Sequence, residues 1–213
     1  MSSREEILKH LREKHRNSTL PNAWKSRRNF SDLVERFTES LIAVKGEVRR
    51  VENLEQALTE VDTLFDELGA KTVVANDEPP LDSEKLTKLR PGLEWFFVGQ
   101  IDGNLRMFCA QADVGLSSAE AALAETGSII VRSAPGKSRL ATLLPPVHIA
   151  LVPVTCLTPD IFTWTARFDD KMPANIVLIS GPSKSADIEF TLTLGVHGPK
   201  RLIVILYGDR LNS

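Results

Sequence analysis

Short, strongly apolar segments recur over much of this chain, and stretches long enough for a helix or a loop separate them. They read TVVA, SIIVR, HIALVPV, NIVLIS and RLIVILY, and none alternates strictly between apolar and polar residues. Because a strand that is buried on one face alternates, unbroken apolar strands indicate a sheet that is covered on both faces. Strands that alternate with helices are typical of a parallel sheet. The sequence therefore predicts a three-layer α/β domain.

The N-terminal part of the chain has a helical pattern instead. Apolar residues at helical spacing predict helices over residues 3–15 and 30–44, and Asn53 is a suitable N-cap for a third helix. The segment between the first two helices is polar and is expected to be a linker. We therefore expect two parts: an N-terminal helical arm and linker over residues 1–50, and the α/β domain over residues 51–213.

The charge of the chain bears on its partners. The formal net charge is −2 at pH 7, which argues against nucleic-acid binding, since that needs a surplus of basic side chains. Residues 1–28 nevertheless carry eight basic and three acidic side chains, which is consistent with a solvated helix or with a helix that docks on an acidic partner. No apolar stretch is long enough to span a membrane, and the first residues lack the apolar run of a signal peptide. We expect a cytoplasmic protein.

The chain contains two cysteines, Cys109 and Cys156. Cys₄ iron–sulfur centres and Cys/His zinc sites need closely spaced ligands, and no C-x-x-C spacing occurs. Both cysteines lie in apolar segments, which predicts buried thiols rather than a reactive nucleophile. The glycine-rich fingerprints of nucleotide-binding loops are also absent from the sequence. We therefore expect no cofactor on this chain.

One unusual junction follows the strand NIVLIS. Its residues are Ser180, Gly181, Pro182, Ser183, Lys184, Ser185, Ala186 and Asp187, and a helix is predicted over residues 183–194. Ligands of open α/β sheets collect at strand ends, and the amides at a helix start attract anions. The side chains of Ser183, Lys184 and Ser185 would add donors to such a site. A simple turn with an N-cap is the alternative interpretation.

Two further segments contain groups suited to chemistry. Glu125-Thr126-Gly127 is expected between a small-residue helix over residues 117–124 and the strand SIIVR. A carboxylate there is a candidate nucleophile, general base or ligand-orienting group, and a solvated side chain is the alternative. His197, beside Gly198, is a candidate acid–base group or an ordinary hydrogen-bonded histidine. His148 begins a buried strand and is expected to be structural.

Four ordered motifs resemble those of one known family. Residues 113–128 read DVGLSSAEAALAETGS, residues 143–149 read LLPPVHI, residues 180–189 read SGPSKSADIE and residues 195–199 read GVHGP. In this order they are similar to the motifs of the LUD-domain family, in particular its lactate utilisation protein C type. The motifs cover roughly residues 110–207, and four matches in sequence order are far more specific than any one of them.

The resemblance implies a fold of the sugar-phosphate isomerase and CoA-transferase (NagB/RpiA-like) class. It also implies a system in which members work with two iron–sulfur proteins to oxidise L-lactate to pyruvate. Because this chain lacks a cysteine cluster, it resembles the component without iron–sulfur centres, and the clusters are expected on the partner proteins. A small carboxylate or acyl ligand would then be bound by Glu125, Thr126, Gly127, the segment from Ser180 to Asp187, His197 and Gly198.

Two other functions stay open at this point. By analogy with related folds, the chain could be a stand-alone enzyme of the isomerase or CoA-transferase type that uses Glu125. It could also be an assembly or regulatory module without chemistry, which docks through the basic N-terminal helix. The sequence does not decide whether the chain is itself an enzyme.

Overall fold

A computed structural model of the chain describes residues 3–14, 24–100, 103–167, 173–186, 192–195 and 198–208. The helices are α1 (Ser3–Glu13), α2 (Leu33–Ala43), α3 (Leu54–Leu68), α4 (Ser83–Leu89), α5 (Leu105–Gln111), α6 (Arg139–Leu143) and α7 (Ile161–Thr165). The strands are β1 (Glu47–Val51), β2 (Thr72–Ala75), β3 (Glu94–Phe97), β4 (Val114–Ser118), β5 (Ala121–Leu123), β6 (Ser128–Arg132), β7 (Val147–Pro153), β8 (Leu157–Thr158), β9 (Ile176–Ile179), β10 (Lys184–Ala186), β11 (Leu192–Leu194) and β12 (Arg201–Tyr207).

Six of the strands form one parallel sheet. Their order is β1-β12-β7-β4-β2-β3. Strand β2 lies between β3 and β4, so the chain moves outward from β2 to β3 and then returns past β2 to β4. Connections that leave neighbouring strands in opposite directions open a crevice at the carboxyl ends of those strands. In this sheet that crevice lies between β2 and β4.

Both faces of the parallel sheet are covered, which explains why its strands are apolar without alternation. On one face, Phe65 of α3 belongs to the same buried cluster as Ile149 of β7. On the other face, Leu41 of α2 shares a cluster with Ala150, the next residue of β7. Successive side chains of a strand point to opposite faces, so each face needs its own layer. The predicted three-layer α/β fold is confirmed.

A second sheet of four short strands packs on the same face as α2, in the order β8-β5-β6-β9. Its strands β5 and β6 form an antiparallel hairpin. The helix predicted over residues 117–124 is therefore wrong, because this segment forms the end of β4 and strand β5. Ser117 and Ala122 are fully buried there. Packing between layers overrides the helix preference of alanine, which is worth less than about 1 kcal/mol per residue.

The helix predicted over residues 183–194 is wrong as well. Strands β10 and β11 from this segment pair antiparallel, with Ser185 opposite Thr193. The residues TLTL at 191–194 alternate with a period of two, as strands do. No helix begins at Ser183, so the argument that helix amides bind an anion there does not apply.

Elements N-terminal to residue 51 take part in the α/β packing. Phe37 and Leu41 of α2 are completely buried, and β1 pairs in parallel with β12 at one edge of the main sheet. Asn53 caps α3 as predicted, and Gly69 ends that helix in the left-handed conformation. Residues 33–51 therefore share the core and the sheet of the α/β domain. Helix α1, by contrast, buries none of its residues.

Candidate ligand-binding cleft

Glu125, Thr126 and Gly127 lie in the turn that joins β5 to β6. The turn is closed by a hydrogen bond from the Gly127 amide to the carbonyl of Leu123 at 2.9 Å, and the Glu125 amide donates to the carbonyl of Pro159 at 3.0 Å. These residues follow a strand rather than the helix expected from the sequence. The hairpin holds the Glu125 carboxylate at the end of the second sheet, next to α2.

Helix α2 fixes the position of this turn. The buried Ser40 hydroxyl donates to the carbonyl of Ala124 at 2.9 Å and lies 3.2 Å from the carbonyl of Glu125. Gly127 has a φ of +67° and lies directly against the backbone of Leu41. A side chain at this position would meet the helix, so only glycine allows the close approach. Glu125 is therefore held in place by the contacts that its neighbours Ala124 and Gly127 make with α2, as well as by its own backbone hydrogen bonds.

Three hydroxyl groups connect the two predicted segments. The Ser128 hydroxyl lies 2.7 Å from that of Thr126 and 2.6 Å from that of Ser180. Ser128 is nearly fully buried, whereas Ser180 is exposed. Gly181, with a φ of +92°, turns the chain against Val44 at the end of α2. The structure thus brings Thr126 and Ser180 together, as the sequence analysis expected of one site.

The segment over residues 24–30 passes beside Glu125. Arg28 forms an ion pair with the Glu125 carboxylate, and Ser26 donates a hydrogen bond to the carboxylate of Asp160. The Trp24 ring meets the ring of Phe162 edge-on, with centroids 4.5 Å apart. The Glu125 side chain keeps 28% of its surface exposed. Arg28 therefore neutralises this carboxylate without covering it.

The hydrogen bonds on Asp160 also affect its ionisation. Burial raises the pKa of this carboxyl group, but hydrogen bonds from Ser26 and Thr163 act in the opposite direction and dominate. The pKa of Asp160 is therefore lowered from its ordinary value, and the group stays charged at neutral pH. A charged Asp160 keeps the segment over residues 24–30 attached near the start of α7.

A cavity of about 620 Å³ lies between α2 and the β5–β6 turn. Its walls combine charged groups, hydroxyl groups and an apolar patch at the end of α2. The residues that line it include Arg36, Glu39, Val44, Glu125, Thr126 and Ser180. Three predicted site residues therefore share one cleft. Arg36 and Glu39 could not be predicted as site residues, because nothing in the helical pattern of α2 shows which of its polar residues faces Glu125.

The remaining predicted site residues have mainly structural contacts. Lys184 donates from Nζ to the carbonyl of Val44 at 2.7 Å, a favourable place for a cation beside the end of a helix. The Ser183 amide donates to the carbonyl of Pro199 at 2.8 Å, and Gly198 lies against Ser183. Pro182 is buried. Ser185 is described only as a backbone position in β10, and Asp187 and His197 lie outside the described residues.

The crevice between β2 and β4 contains a second polar cluster that sequence analysis missed. Glu78, just after β2, accepts a hydrogen bond from the Ser118 amide at 3.0 Å and pairs with Lys137 Nζ at 2.7 Å. The Glu78 side chain is only 4% exposed. Asn76, fully buried, accepts from the Ser138 amide at 2.9 Å. Ligand sites of open α/β sheets lie at the carboxyl ends of strands whose connections leave in opposite directions. These residues could have been predicted from that rule if β2 and β4 had been recognised as neighbours in the sheet.

A cavity of about 600 Å³ begins at Glu78, but its chemistry differs from that of the first cleft. Four carboxylate side chains line it, those of Asp77, Glu78, Asp82 and Glu84, against one basic side chain, Lys85. Such a wall repels an anion. The cleft beside Glu125 is less acidic, since two acidic side chains, Glu39 and Glu125, and one basic side chain, Arg36, line it. Arg28 also pairs with Glu125 from the adjacent segment, so this cleft is the better match to a carboxylate ligand.

His148 and Cys109 are internal groups. His148 is fully buried, and its Nε2 lies 2.8 Å from the Ser117 hydroxyl, which confirms the expected structural position. Burial lowers the pKa of His148 to about 3 and raises the pKa of Cys109 to about 11. Cys109 is buried as predicted, whereas Cys156 is partly exposed. Neither thiol has the environment of an activated nucleophile.

Metal-binding clusters and membrane-spanning helices are both absent from the part of the chain that the structure describes. No group of three or more histidine, cysteine, aspartate or glutamate side chains is placed to hold a metal ion among these residues. Within the same ranges, no helix combines the length and apolar character needed to cross a bilayer.

Comparisons with known proteins agree with the motifs. The LUD domain family model matches residues 34–207. A protein named lactate utilization protein C from Halalkalibacterium halodurans is 34% identical over 187 residues, covering 84% of this chain and 80% of that protein. The protein of the same name from Bacillus subtilis is 34% identical over 155 residues, covering 70% of this chain and 61% of that protein.

One solved structure is similar in fold. It is the crystal structure of a DUF162 family protein from Deinococcus radiodurans, which is 17% identical to this chain with a TM-score of 0.57. The similarity covers 83% of this chain and 96% of that one. At this identity the match supports the arrangement of helices and strands and carries no information on the ligand.

Proposed function

Because the chain belongs to the LUD domain family, we propose that it is a non-redox component of a lactate utilisation system. In this proposal the cleft beside Glu125 binds a small carboxylate or acyl ligand. The observation that carries the proposal is the set of relatives named lactate utilization protein C, at 34% identity over most of both chains for the first of them. The charged and hydroxyl groups of the cleft then favour ligand binding as the role of this chain in that system.

The assignment as a non-redox component rests on the amino-acid composition. Iron–sulfur clusters of the common types are held by four cysteine thiolates, and the whole sequence contains two cysteines. One of them, Cys109, is buried. If electrons are removed from lactate in this system, the carriers belong on partner proteins with cysteine clusters. We therefore expect iron–sulfur proteins as partners.

The cleft supports binding of a carboxylate or an acyl group. Arg28 neutralises Glu125, so an approaching anion does not meet an unpaired carboxylate. The hydroxyl groups of Thr126 and Ser180 lie at the same wall, and both are hydrogen-bonded to the Ser128 hydroxyl. Because Ser128 has one proton, at least one of the two donates to Ser128, so at most one can donate to a ligand's carbonyl oxygen while both can accept from a hydroxyl group. Helix α2 and the hairpin turn hold these groups through backbone contacts, which favours a preformed site.

The proposal is tested by affinity purification of the full chain, under anaerobic conditions, from its own host grown on L-lactate. We expect iron in the eluate and lactate-dependent reduction of a dye, both lost when this chain is removed. The same host grown without lactate is the control. A homogeneous, iron-free and inactive eluate from lactate-grown cells contradicts the proposal.

One alternative function is favoured by the partial exposure of Glu125 in the cleft wall. In a stand-alone acyl-transfer enzyme, this carboxylate would attack an acyl thioester, so that the C–S bond breaks, the CoA thiolate leaves and the acyl group is held as a mixed anhydride. The thiolate would then attack the Glu125 carbonyl and release the acyl group as a free carboxylate, which leaves Glu125 as a CoA thioester. Incubation with acetyl-CoA followed by hydroxylamine would then modify Glu125, and the Glu125→Gln variant would not react. An unmodified wild-type protein rejects this alternative and leaves the binding role standing.

A further inference from the structure

We propose that Arg36 is the residue that binds the ligand's carboxylate in this cleft, so that the cleft selects small carboxylates over their uncharged esters. Of the two arginines beside the cleft, Arg28 already donates to Glu125, whereas Arg36 lines the cavity and has only a long ion-pair contact with Glu39. This inference rests on the proposed function in two respects. It places the ligand in the cleft beside Glu125, and it uses pyruvate and L-lactate as the probes.

The contacts of Arg36 are unusually incomplete for a side chain held against the protein. Its Nε atom is shielded from solvent and has no hydrogen-bond partner within the described part of the chain. Its Nη1 atom lies 3.7 Å from Oε2 of Glu39, a distance that is too long for a hydrogen bond. The Arg36 side chain as a whole keeps 43% of its surface exposed. A ligand in the cleft would therefore meet the terminal Nη groups of Arg36 rather than the shielded Nε atom.

The guanidinium group is nevertheless held in place. The Arg36 Cζ atom lies 5.5 Å from the centre of the Phe30 ring, within the range of a cation–π contact. Helix α2 is rigidly packed, because Phe37, the next residue, is completely buried. An arginine that is oriented but not engaged is well suited to binding a carboxylate through two parallel N–H donors.

Arg28 is the less suitable of the two arginines. Its Nη1 atom already donates to Oε1 of Glu125, so a ligand would have to share or break that ion pair. Glu39 is a weaker competitor for Arg36, because its side chain is 61% exposed and the pair is a surface contact between helix neighbours. Such contacts contribute little and are easily exchanged. An incoming carboxylate can therefore replace Glu39 at Arg36.

The rest of the ligand would lie toward the hydroxyl groups. Arg36, Thr126 and Ser180 all border the same cavity, and the Ser128 hydroxyl behind Thr126 and Ser180 orients both. A ligand with a carboxylate and a nearby carbonyl or hydroxyl oxygen could bind Arg36 through the carboxylate and the hydroxyl groups through the second oxygen. This class includes 2-oxo acids and 2-hydroxy acids.

The test is isothermal titration of the full chain with pyruvate and with L-lactate, using wild type and four variants. We expect Arg36→Gln to weaken binding about tenfold or more. The affinity of Arg36→Lys should lie between those of Arg36→Gln and wild type, because lysine keeps the positive charge but lacks the two parallel N–H donors of the guanidinium group. Glu39→Gln removes the competing carboxylate, so binding should tighten about two- to fivefold. Arg50→Gln is the matched control, since Arg50, on strand β1, pairs with Glu35 of α2 at 3.0 Å but does not line the cleft.

Methyl pyruvate is the second control, because it has the same shape near the carbonyl group and no charge. Weak binding of the ester to wild type, with Arg36→Gln making no further difference, supports the inference. Equal binding of acid and ester, wild-type affinity in Arg36→Gln, or no binding of either acid to wild type overturns it. The purification experiment separates the two proposals: Arg36-dependent binding without iron–sulfur partners rejects only the proposed function, and Arg36-independent binding rejects only this inference.

Discussion

A Cβ atom at Gly127 would lie 2.5 Å from the Cα atom of Leu41. The turn that carries Glu125 and the helix that carries Arg36 are therefore in direct backbone contact. This contact determines the width of the cleft, since both of its walls are built on these two elements. A side chain at position 127 would therefore require the turn and α2 to move apart.

Gly127→Ala should destabilise the protein by more than about 2 kcal/mol, because the new side chain combines a left-handed backbone conformation with a steric clash. Gly69→Ala is the control, since Gly69 has a φ of +60° but open space around its Cβ position. That variant should lose only about 1 kcal/mol. Urea unfolding of the two variants measures the difference. Equal losses would show that the contact with α2 relaxes at little cost.

Ser40→Ala should cost about 1–2 kcal/mol, because it leaves the carbonyl groups of Ala124 and Glu125 without their shared donor. It should also weaken pyruvate binding, since the turn is no longer held against α2. Thr38→Val, on the same helix, removes a hydroxyl that bonds only within the helix, to the carbonyl of Val34 at 2.7 Å. Thermal unfolding and titration should show a smaller effect for Thr38→Val on both measures.

The fold could be predicted well where burial and local pattern agree. Strands β7 and β12 are apolar on both faces, and β2 lies inside the sheet between β4 and β3, so these strands could be identified from their apolar residues alone. The segment over residues 117–124 could not, because its alanines favour a helix in isolation. The pairing of Ala122 with Ile129 across the hairpin depends on a layer that only the complete fold provides.

The candidate site was predicted in part. The proximity of Thr126 and Ser180 followed from motifs whose order resembles that of a family, and the structure places their hydroxyl groups on either side of Ser128. Arg36 and Arg28 could not be found in this way. Arg36 belongs to a helix whose rotation toward Glu125 is set by the burial of Phe37, and Arg28 reaches Glu125 across 97 positions of the chain. Such long-range contacts leave no local pattern.

Lys137→Met should destabilise the protein by about 3–5 kcal/mol, because the nearly buried Glu78 loses its counter-ion. Glu78→Gln should cost less, since the partly exposed Lys137 can turn toward solvent. The double variant should be more stable than Lys137→Met alone, which urea unfolding can measure. Lys88→Met is the control: its pair with Glu84 is highly exposed, and its loss should change stability by less than about 0.5 kcal/mol. A small effect of Lys137→Met would mean that Glu78 is hydrated.

His148 should make the protein less stable in mild acid. Burial lowers the pKa of His148 to about 3, from an ordinary value of 6.5. Between these two pH values the unfolded chain binds a proton at His148 and the folded protein does not. The contribution of the neutral His148 to the free energy of unfolding is therefore fully present above pH 6.5 and is lost as the pH decreases.

The expected loss of unfolding free energy from His148 between pH 7 and pH 5 is about 2 kcal/mol. His148→Gln removes the titrating group. Between pH 7 and pH 5 the free energy of unfolding of this variant should therefore fall by about 2 kcal/mol less than that of wild type, whatever the stability of the variant at pH 7. Glu47, whose hydrogen bond with Arg201 lowers its pKa below the ordinary 4.5, contributes only at lower pH and does not disturb the comparison. Urea unfolding at the two pH values measures both slopes. Identical slopes for wild type and His148→Gln would show that the imidazole is protonated without unfolding.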